Sequence, residues 1–211
     1  AGKSYGSLSE HTEEQITWLK QNNLLKKDFK ILDVGCYDGE FLSQLPITNY
    51  KYGVDIDKKA IERGLKKHGS KGIKLYCEDF KSFNNEGVSP DTVTMYHVLE
   101  HLTDPVGVLK KICQIAHADT KLVIEVPVLD NGNTNDIHGF FSIQHTTHFS
   151  KLSLYNCLEN SGWKVVKEYR TKDYNGLRVV CSPKLLKKNK SVKHNHLIDW
   201  NDINSSLTSW R

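Results

Sequence analysis

The sequence predicts an α/β fold with a mostly parallel sheet, on three observations. Short apolar runs alternate with amphipathic stretches from Phe29 onward. Several of these runs end in an acid or a glycine, as strands do where they enter a turn. Near residue 163 the alternation stops, and two strands follow each other through a turn alone. Alternating strands and helices imply βαβ units with right-handed crossovers. Two strands joined by a turn are most simply an antiparallel hairpin at a sheet edge.

The elements follow in order. Residues 9–25 place Ile16, Trp18 and Leu19 on one helical face, with Ser9 as the N-cap. Residues 29–34 form a buried strand that ends at Gly35, and a helix over 39–45 follows. The next strand covers 52–56 and leads into a helix over 57–67. Strands at 73–77, 92–96 and 121–126 come next, with a helix over 104–117 between the last two. A helix at 151–161, capped by Ser150 and closed by Gly162, precedes strands 163–170 and 177–182. The turn between these strands reads Asp173-Tyr174-Asn175-Gly176.

Composition bounds the function. The chain has 211 residues, enough for one sizeable core, with 38% hydrophobic and 26% charged residues. No apolar run reaches the ~18–20 residues of a membrane span and no signal-peptide core is evident, so a cytoplasmic location is predicted. Five cysteines, widely spaced and without a C-x-x-C pair, argue against a disulfide framework and a thiolate zinc site. The net charge of +4 is concentrated late, in Lys184, Lys187, Lys188, Lys190 and Lys193. Such a run reads first as a solvated linker and only second as a nucleic-acid contact. The organisation predicted is a helical segment over 1–28, a catalytic domain over 29–183 and a basic, polar tail over 184–211. Both ends read as edges, which suggests a domain of a longer polypeptide.

Chemistry concentrates first in Ile31-Leu-Asp-Val-Gly-Cys-Tyr-Asp-Gly-Glu-Phe41, a strand running into a glycine turn and a helix. In open α/β sheets ligands bind beyond the carboxyl ends of the strands. Gly35 permits close backbone approach there, and Gly39 relieves crowding where the helix leaves the turn. Asp33 inside the turn disfavours a pyrophosphate and suits a cation. Asp55, twenty residues after Gly35 at the end of the second strand, is positioned to accept both hydroxyls of a ribose. Glu78-Asp79-Phe80 at the third strand end offers an acid and a ring to an adenine. Alone, Asp33-Val-Gly35 is only a tight turn; three acids at successive strand ends are a binding pattern. Phe41 reads as core.

These segments resemble the motifs of class I S-adenosylmethionine-dependent methyltransferases, over about Phe29 to Ser182. The resemblance implies a Rossmann-like seven-stranded sheet of order 3-2-1-4-5-7-6 with strand 7 antiparallel and helices on both faces. It implies S-adenosylmethionine as cofactor, with Asp33, Gly35 and Gly39 at the methionine portion, Asp55 at the ribose, and Asp79 with Phe80 at the adenine. Cys36, Tyr37, Ile56 and Tyr96 belong to the same lining. Tyr37 departs from the pattern, standing where a middle glycine is often found.

Asp91-Thr-Val-Thr-Met-Tyr-His-Val-Leu-Glu-His-Leu-Thr-Asp-Pro105 resembles the family's fourth-strand segment, which places Tyr96 and His97 where methyl and acceptor meet. His101 is common at this place and is often only structural. A long loop then runs from Ile137 to Ser153, and function concentrates in such loops. Its Gln144-His-Thr-Thr-His-Phe-Ser150 resembles the Glu-His-x-x-Tyr-Phe-Ser of sugar methyltransferases of the same superfamily. His145 matches the family histidine, while Gln144 replaces the acid and His148 the tyrosine. The final strand, Asn175 to Ser182, resembles the same group, and Tyr5 faintly resembles a segment that covers the cofactor. A sugar hydroxyl needs a base to attack a methyl group, and His145 is the first candidate, ahead of His148 and His97.

This reading predicts an O-methyltransferase acting on a sugar hydroxyl, such as a terminal deoxyhexose of a glycan, with glycosyltransferase domains as candidate neighbours and no nucleic acid as substrate. Three other readings compete. His97-x-x-Glu100-His101 with His145 or His148 is a set able to bind a divalent ion, and it resembles metal-dependent RNA 2′-O-methyltransferases. There a glutamate stands where this chain has His97, and interleaved basic and aromatic residues are sparse here, so no metal is assigned. C-methylation of a nucleotide sugar is disfavoured because no cysteine-rich segment precedes the core. A non-catalytic cofactor-binding module is the third.

Overall fold

The computed structural model describes residues 8–46, 49–84, 87–130, 141–170 and 175–184. In chain order its elements are α1 (Leu8–Gln21), β1 (Lys30–Val34), α2 (Glu40–Gln44), β2 (Tyr50–Asp55), α3 (Lys58–His68), β3 (Ile73–Cys77), β4 (Thr92–Tyr96), α4 (Pro105–Ile115), β5 (Lys121–Pro127), α5 (Lys151–Asn160), β6 (Trp163–Arg170) and β7 (Gly176–Pro183). A short 3-10 turn at Leu99–His101 follows β4. The strands form one sheet in the order β3-β2-β1-β4-β5-β7-β6, which is the Rossmann-like arrangement expected. None of the described helices is long and apolar enough to cross a membrane. Tyr5, residues 131–140, the turn residues Asp173 and Tyr174, and the tail beyond Lys184 lie outside the described residues.

The chain divides into two compact units, Ala1–Met95 with Ile115–Lys121, and Tyr96–Gln114 with Leu122–Arg211. In the first, β1 pairs in parallel with β2 and β4, and β2 with β3. Ile31, Leu32 and Val34 are all buried, as a strand covered on both faces requires. Ile16, Trp18 and Leu19 of α1 are buried as their spacing predicts. α1 stops at Gln21 rather than 25, because Asn23 takes the left-handed conformation (φ 57°) and the Leu24 N–H turns back to the Leu19 carbonyl. It starts at Leu8, so Ser9 lies inside the helix and not at its cap. β2 begins at Tyr50, earlier than its apolar pattern suggests, since the Tyr50 N–H donates to Phe29 and extends the ladder upstream.

In the second unit β5 and β7 are antiparallel, and so are β7 and β6. Leu122, Val123, Ile124 and Val126 have no exposure, and neither has Trp163, whose indole N–H donates to the Leu109 carbonyl at 3.0 Å. Burying that polar handle with a partner avoids the cost of an orphaned donor. Ser150 caps α5 in a reciprocal box: its hydroxyl accepts from the Ser153 N–H at 3.1 Å, and the Ser150 N–H donates to Ser153 Oγ at 2.8 Å. Phe149 just before the cap is buried, and Gly162 (φ 89°) lets the chain leave α5 for β6.

Candidate active site

In the first unit the loops after β1, β2 and β3 gather the predicted acids. Asp33, next to last in β1, is 5% exposed, and the Thr94 hydroxyl of neighbouring β4 donates to its Oδ1 at 2.6 Å. Burial pushes the Asp33 carboxyl up to about 7; the hydrogen bond from Thr94 opposes the rise and the charge of Asp55 adds to it. A cation beside this carboxyl would lower its pKa again.

Asp55 ties two loops together. Its Oδ2 accepts the Tyr37 N–H at 2.8 Å, and its Oδ1 accepts the Asp57 N–H at 2.8 Å. Each oxygen keeps a lone pair, so the carboxylate can still take a pair of hydroxyls. Tyr37 is held at φ 51°, a left-handed conformation that costs a non-glycine residue about 1–2 kcal/mol. The bond to Asp55 and the Arg63 guanidinium, 5.1 Å from the Tyr37 ring centroid, offset that cost. Gly35 (φ 77°) and Gly39 (φ 74°) flank it where glycine bears such angles freely.

One residue that the sequence reading passed over, Gly64, also shapes this turn. A side chain at Gly64 of α3 would sit 2.2 Å from the Asp38 carbonyl, so this glycine lets α3 close on the turn. A glycine in a helix interior, costing about 1 kcal/mol, was the available signal. Cys36 is buried against Gly53, and burial with the charges of Asp33 and Asp55 pushes its thiol far above the usual range. Ile56 is 75% exposed beyond β2, and Asp79 is exposed beyond β3, its Oδ1 accepting the Lys81 N–H at 3.0 Å. Phe80 corrects the sequence reading. Its ring is not an open face but is 5% exposed and stacked on Phe83 at 5.7 Å, because the chain turns inward there to fill the core. Phe41 is core, as its apolar character implied.

The second unit opens at Tyr96, the last residue of β4, and His97 follows it. His97 adopts φ 55°, and its N–H donates to the Glu125 carbonyl at 2.9 Å. Its Nε2 stands 3.2 Å from Glu125 Oε1 and its Nδ1 3.4 Å from Glu100 Oε1. Desolvation opposes charge on the ring, but the two carboxylates outweigh it and raise the pKa to about 10. The two carboxylates thus favour the imidazolium form of His97, the form without a free nitrogen to accept a proton. Glu125 is in turn bound by Arg178, directly opposite it in the β5–β7 register, through Nε to Oε2. Burial works against the Glu125 charge, yet His97 and Arg178 hold the carboxyl below its usual range. The Arg178 guanidinium lies 5.6 Å from the ring centroids of both Tyr96 and Tyr169. Glu125 and Arg178 were visible in the sequence only as charges inside otherwise apolar strands.

The histidine loop is pinned to the turn after β4. The Thr147 N–H donates to the Glu100 carbonyl at 3.0 Å, and the Thr146 hydroxyl to the Leu102 carbonyl at 2.9 Å. His101 Nδ1 donates to the Gln144 carbonyl at 2.9 Å. These bonds set the His101 and His145 rings edge to face with centroids 4.8 Å apart, and His148 6.1 Å from His145. His148 also lies against Phe141 at 5.3 Å. The loop thus brings His145 to His101 and Glu100, a grouping that the expected proton-transfer role did not require.

A family model described as a methyltransferase domain matches residues 8–168. No curated protein matches the chain. Among solved structures, magnesium protoporphyrin IX methyltransferase of Synechocystis PCC 6803 with bound S-adenosylhomocysteine is 17% identical, with a TM-score of 0.65 over 86% of this chain and 90% of that one. The PH0226 protein of Pyrococcus horikoshii OT3 is 16% identical, with a TM-score of 0.68 over 85% and 93%. An S-adenosylmethionine-dependent methyltransferase of Clostridium acetobutylicum ATCC 824 is 10% identical, with a TM-score of 0.65 over 82% and 90%. At these identities the likeness is one of fold, and with the family match over most of the chain it leads to one assignment. The chain belongs to the class I S-adenosylmethionine-dependent methyltransferases.

Proposed function

We propose that this methyltransferase moves the methyl group of S-adenosylmethionine to a hydroxyl of a sugar, such as a terminal deoxyhexose of a glycan. The observation that carries the reading is the loop over 141–149, which presents His145 and His148 beside the turn that follows β4. A hydroxyl is a weak nucleophile near neutral pH. As its oxygen attacks the methyl carbon, the O–H proton passes to a histidine, His145 first and His148 second. The C–S bond breaks, leaving S-adenosylhomocysteine as the neutral thioether. Asp33 supplies a carboxylate for the cationic methionine portion, Asp55 a pair of acceptors for the ribose and Asp79 an acceptor for the adenine amino group. Gly35, Cys36, Tyr37, Gly39 and Ile56 complete that lining.

A glycosyltransferase, in the same polypeptide or apart, would make the acceptor. The test is incubation with labelled S-adenosylmethionine and a panel of glycans, nucleotide sugars and small RNAs. Label on a sugar oxygen is the expected result. Label on an RNA 2′-hydroxyl, or on a sugar carbon, refutes the reading.

A further inference from the structure

One feature of the second unit is left unused by proton transfer alone. Glu100 is 1% exposed and paired with His97, whose Nδ1 stands 3.4 Å from Oε1, but among the described residues neither carboxylate oxygen accepts a hydrogen bond of ordinary geometry. A buried carboxylate with a single off-line partner is under-satisfied, and native proteins complete such a group with further partners or a cation. Two imidazoles stand beside it. One ligand atom each from Glu100, His101 and His145 can be chosen so that all lie within 4.8 Å of one another.

The His101 ring is also fixed in the manner of a ligand. Nδ1 donates its proton to the Gln144 carbonyl, so the lone pair resides on Nε2. Such a bond to a backbone carbonyl sets the tautomer and orientation of histidines that bind metals. Thr146 and Thr147 hold the other half of the set in place through the Glu100 and Leu102 carbonyls.

We propose that Glu100, His101 and His145 form a binding site for a divalent transition-metal cation. Two imidazoles and a carboxylate suit Zn²⁺, Mn²⁺, Fe²⁺ or Co²⁺ better than the all-oxygen cations Mg²⁺ and Ca²⁺. Bonds of about 2.1 Å would require adjacent ligand atoms to close to about 3–3.5 Å. Three protein ligands leave coordination positions open. The role at those positions rests on the sugar reading above: a cation held there would make an acceptor hydroxyl more acidic, with His148 or solvent to take its proton. In that role His145 would hold the cation, and the base would be His148, the second histidine of the loop.

The experiment uses the full chain, stripped with a chelator and desalted. Co²⁺ is titrated while its visible absorption is followed, and Zn²⁺ binding is measured by calorimetry. One equivalent is expected to bind, with at least 100-fold weaker binding in His101→Ala and His145→Ala and in the isosteric Glu100→Gln. Far-UV circular dichroism confirms that each variant is folded. A His194→Ala/His196→Ala variant controls for the tail histidines and is expected to bind as the parent does. Absence of binding at millimolar Co²⁺, or binding that survives His101→Ala and His145→Ala, overturns the site. Sugar methylation that persists with no cation bound overturns the catalytic role of the cation, yet leaves the sugar reading standing with His145 as base. Stoichiometric binding that fails in the variants, with label entering RNA 2′-hydroxyls and not sugars, upholds the site and overturns the sugar reading.

Discussion

Replacement of Arg178 by methionine tests whether the charge network beneath Tyr96 is as tightly coupled as its geometry implies. Both Arg178 and Glu125 are 1% exposed, so neither charge has water to fall back on. Removing the guanidinium leaves the Glu125 carboxylate with His97 at Oε1 and deprives Oε2 of its donor. It also removes a cation from two aromatic rings at 5.6 Å. Breaking one side of a buried pair costs about 3–5 kcal/mol, largely the penalty of the stranded charge. Arg178→Met is therefore expected to lower the unfolding free energy by about 3–5 kcal/mol in urea denaturation at pH 7. A second change, Glu125→Gln, removes the stranded charge, and the double variant is expected to recover more than half of the loss. The double-mutant cycle isolates the coupling. A loss below about 1 kcal/mol in the single variant, or no recovery in the double one, refutes the argument.

Three further outcomes follow from the site. The Asp33 carboxyl titrates near 7 when folded and near the ordinary ~3.9 when unfolded, so the folded state holds a proton that the unfolded state sheds. The stability this contributes is full below about pH 4 and is lost as pH rises to about 7, at a cost of roughly 3–4 kcal/mol. Asp33→Asn should therefore raise Tm by several degrees at pH 8 while weakening S-adenosylmethionine binding; a lower Tm together with unchanged affinity contradicts both roles. His145→Ala should reduce turnover by roughly two to four orders of magnitude and leave cofactor affinity nearly intact, measured by steady-state kinetics and calorimetry; equal turnover removes His145 from the reaction. Asp55→Ala should weaken cofactor binding by roughly 10- to 100-fold, from loss of charged hydrogen bonds, and should also lower Tm because the Tyr37 and Asp57 N–H groups lose their acceptor. Unchanged affinity would displace the ribose from Asp55.

Much of the fold was legible in local pattern. The strands expected near 73–77 and 92–96 stand at Ile73–Cys77 and Thr92–Tyr96, since apolar runs bounded by turns carry their own limits. Where boundaries moved, the cause was a hydrogen bond to a distant or unexpected partner, as at Tyr50 and Phe29. The order of the strands came from resemblance, because periodicity states that strands exist and says nothing of which are neighbours. The acids at the strand ends were likewise legible, being chemically out of place after apolar runs.

The sequence by itself determined the alternation of elements, the glycine turn and its three acids, and the presence of a histidine-rich loop, because each of these is written in residues close along the chain. Only the tertiary structure decided the states of the groups. Phe80 became core because Phe83 stacks on it, although an aromatic next to an acid reads equally well as a ligand platform. His97 is drawn toward its charged form because Glu125, 28 residues away, stands at its Nε2, and Arg178 in turn holds that carboxylate. His145 met Glu100 and His101 because backbone bonds from Thr146 and Thr147 lay its loop across the turn after β4. Burial and charge pairing are sums over neighbours that the chain supplies from far apart, so protonation and ligand geometry could be read only once those neighbours were in place.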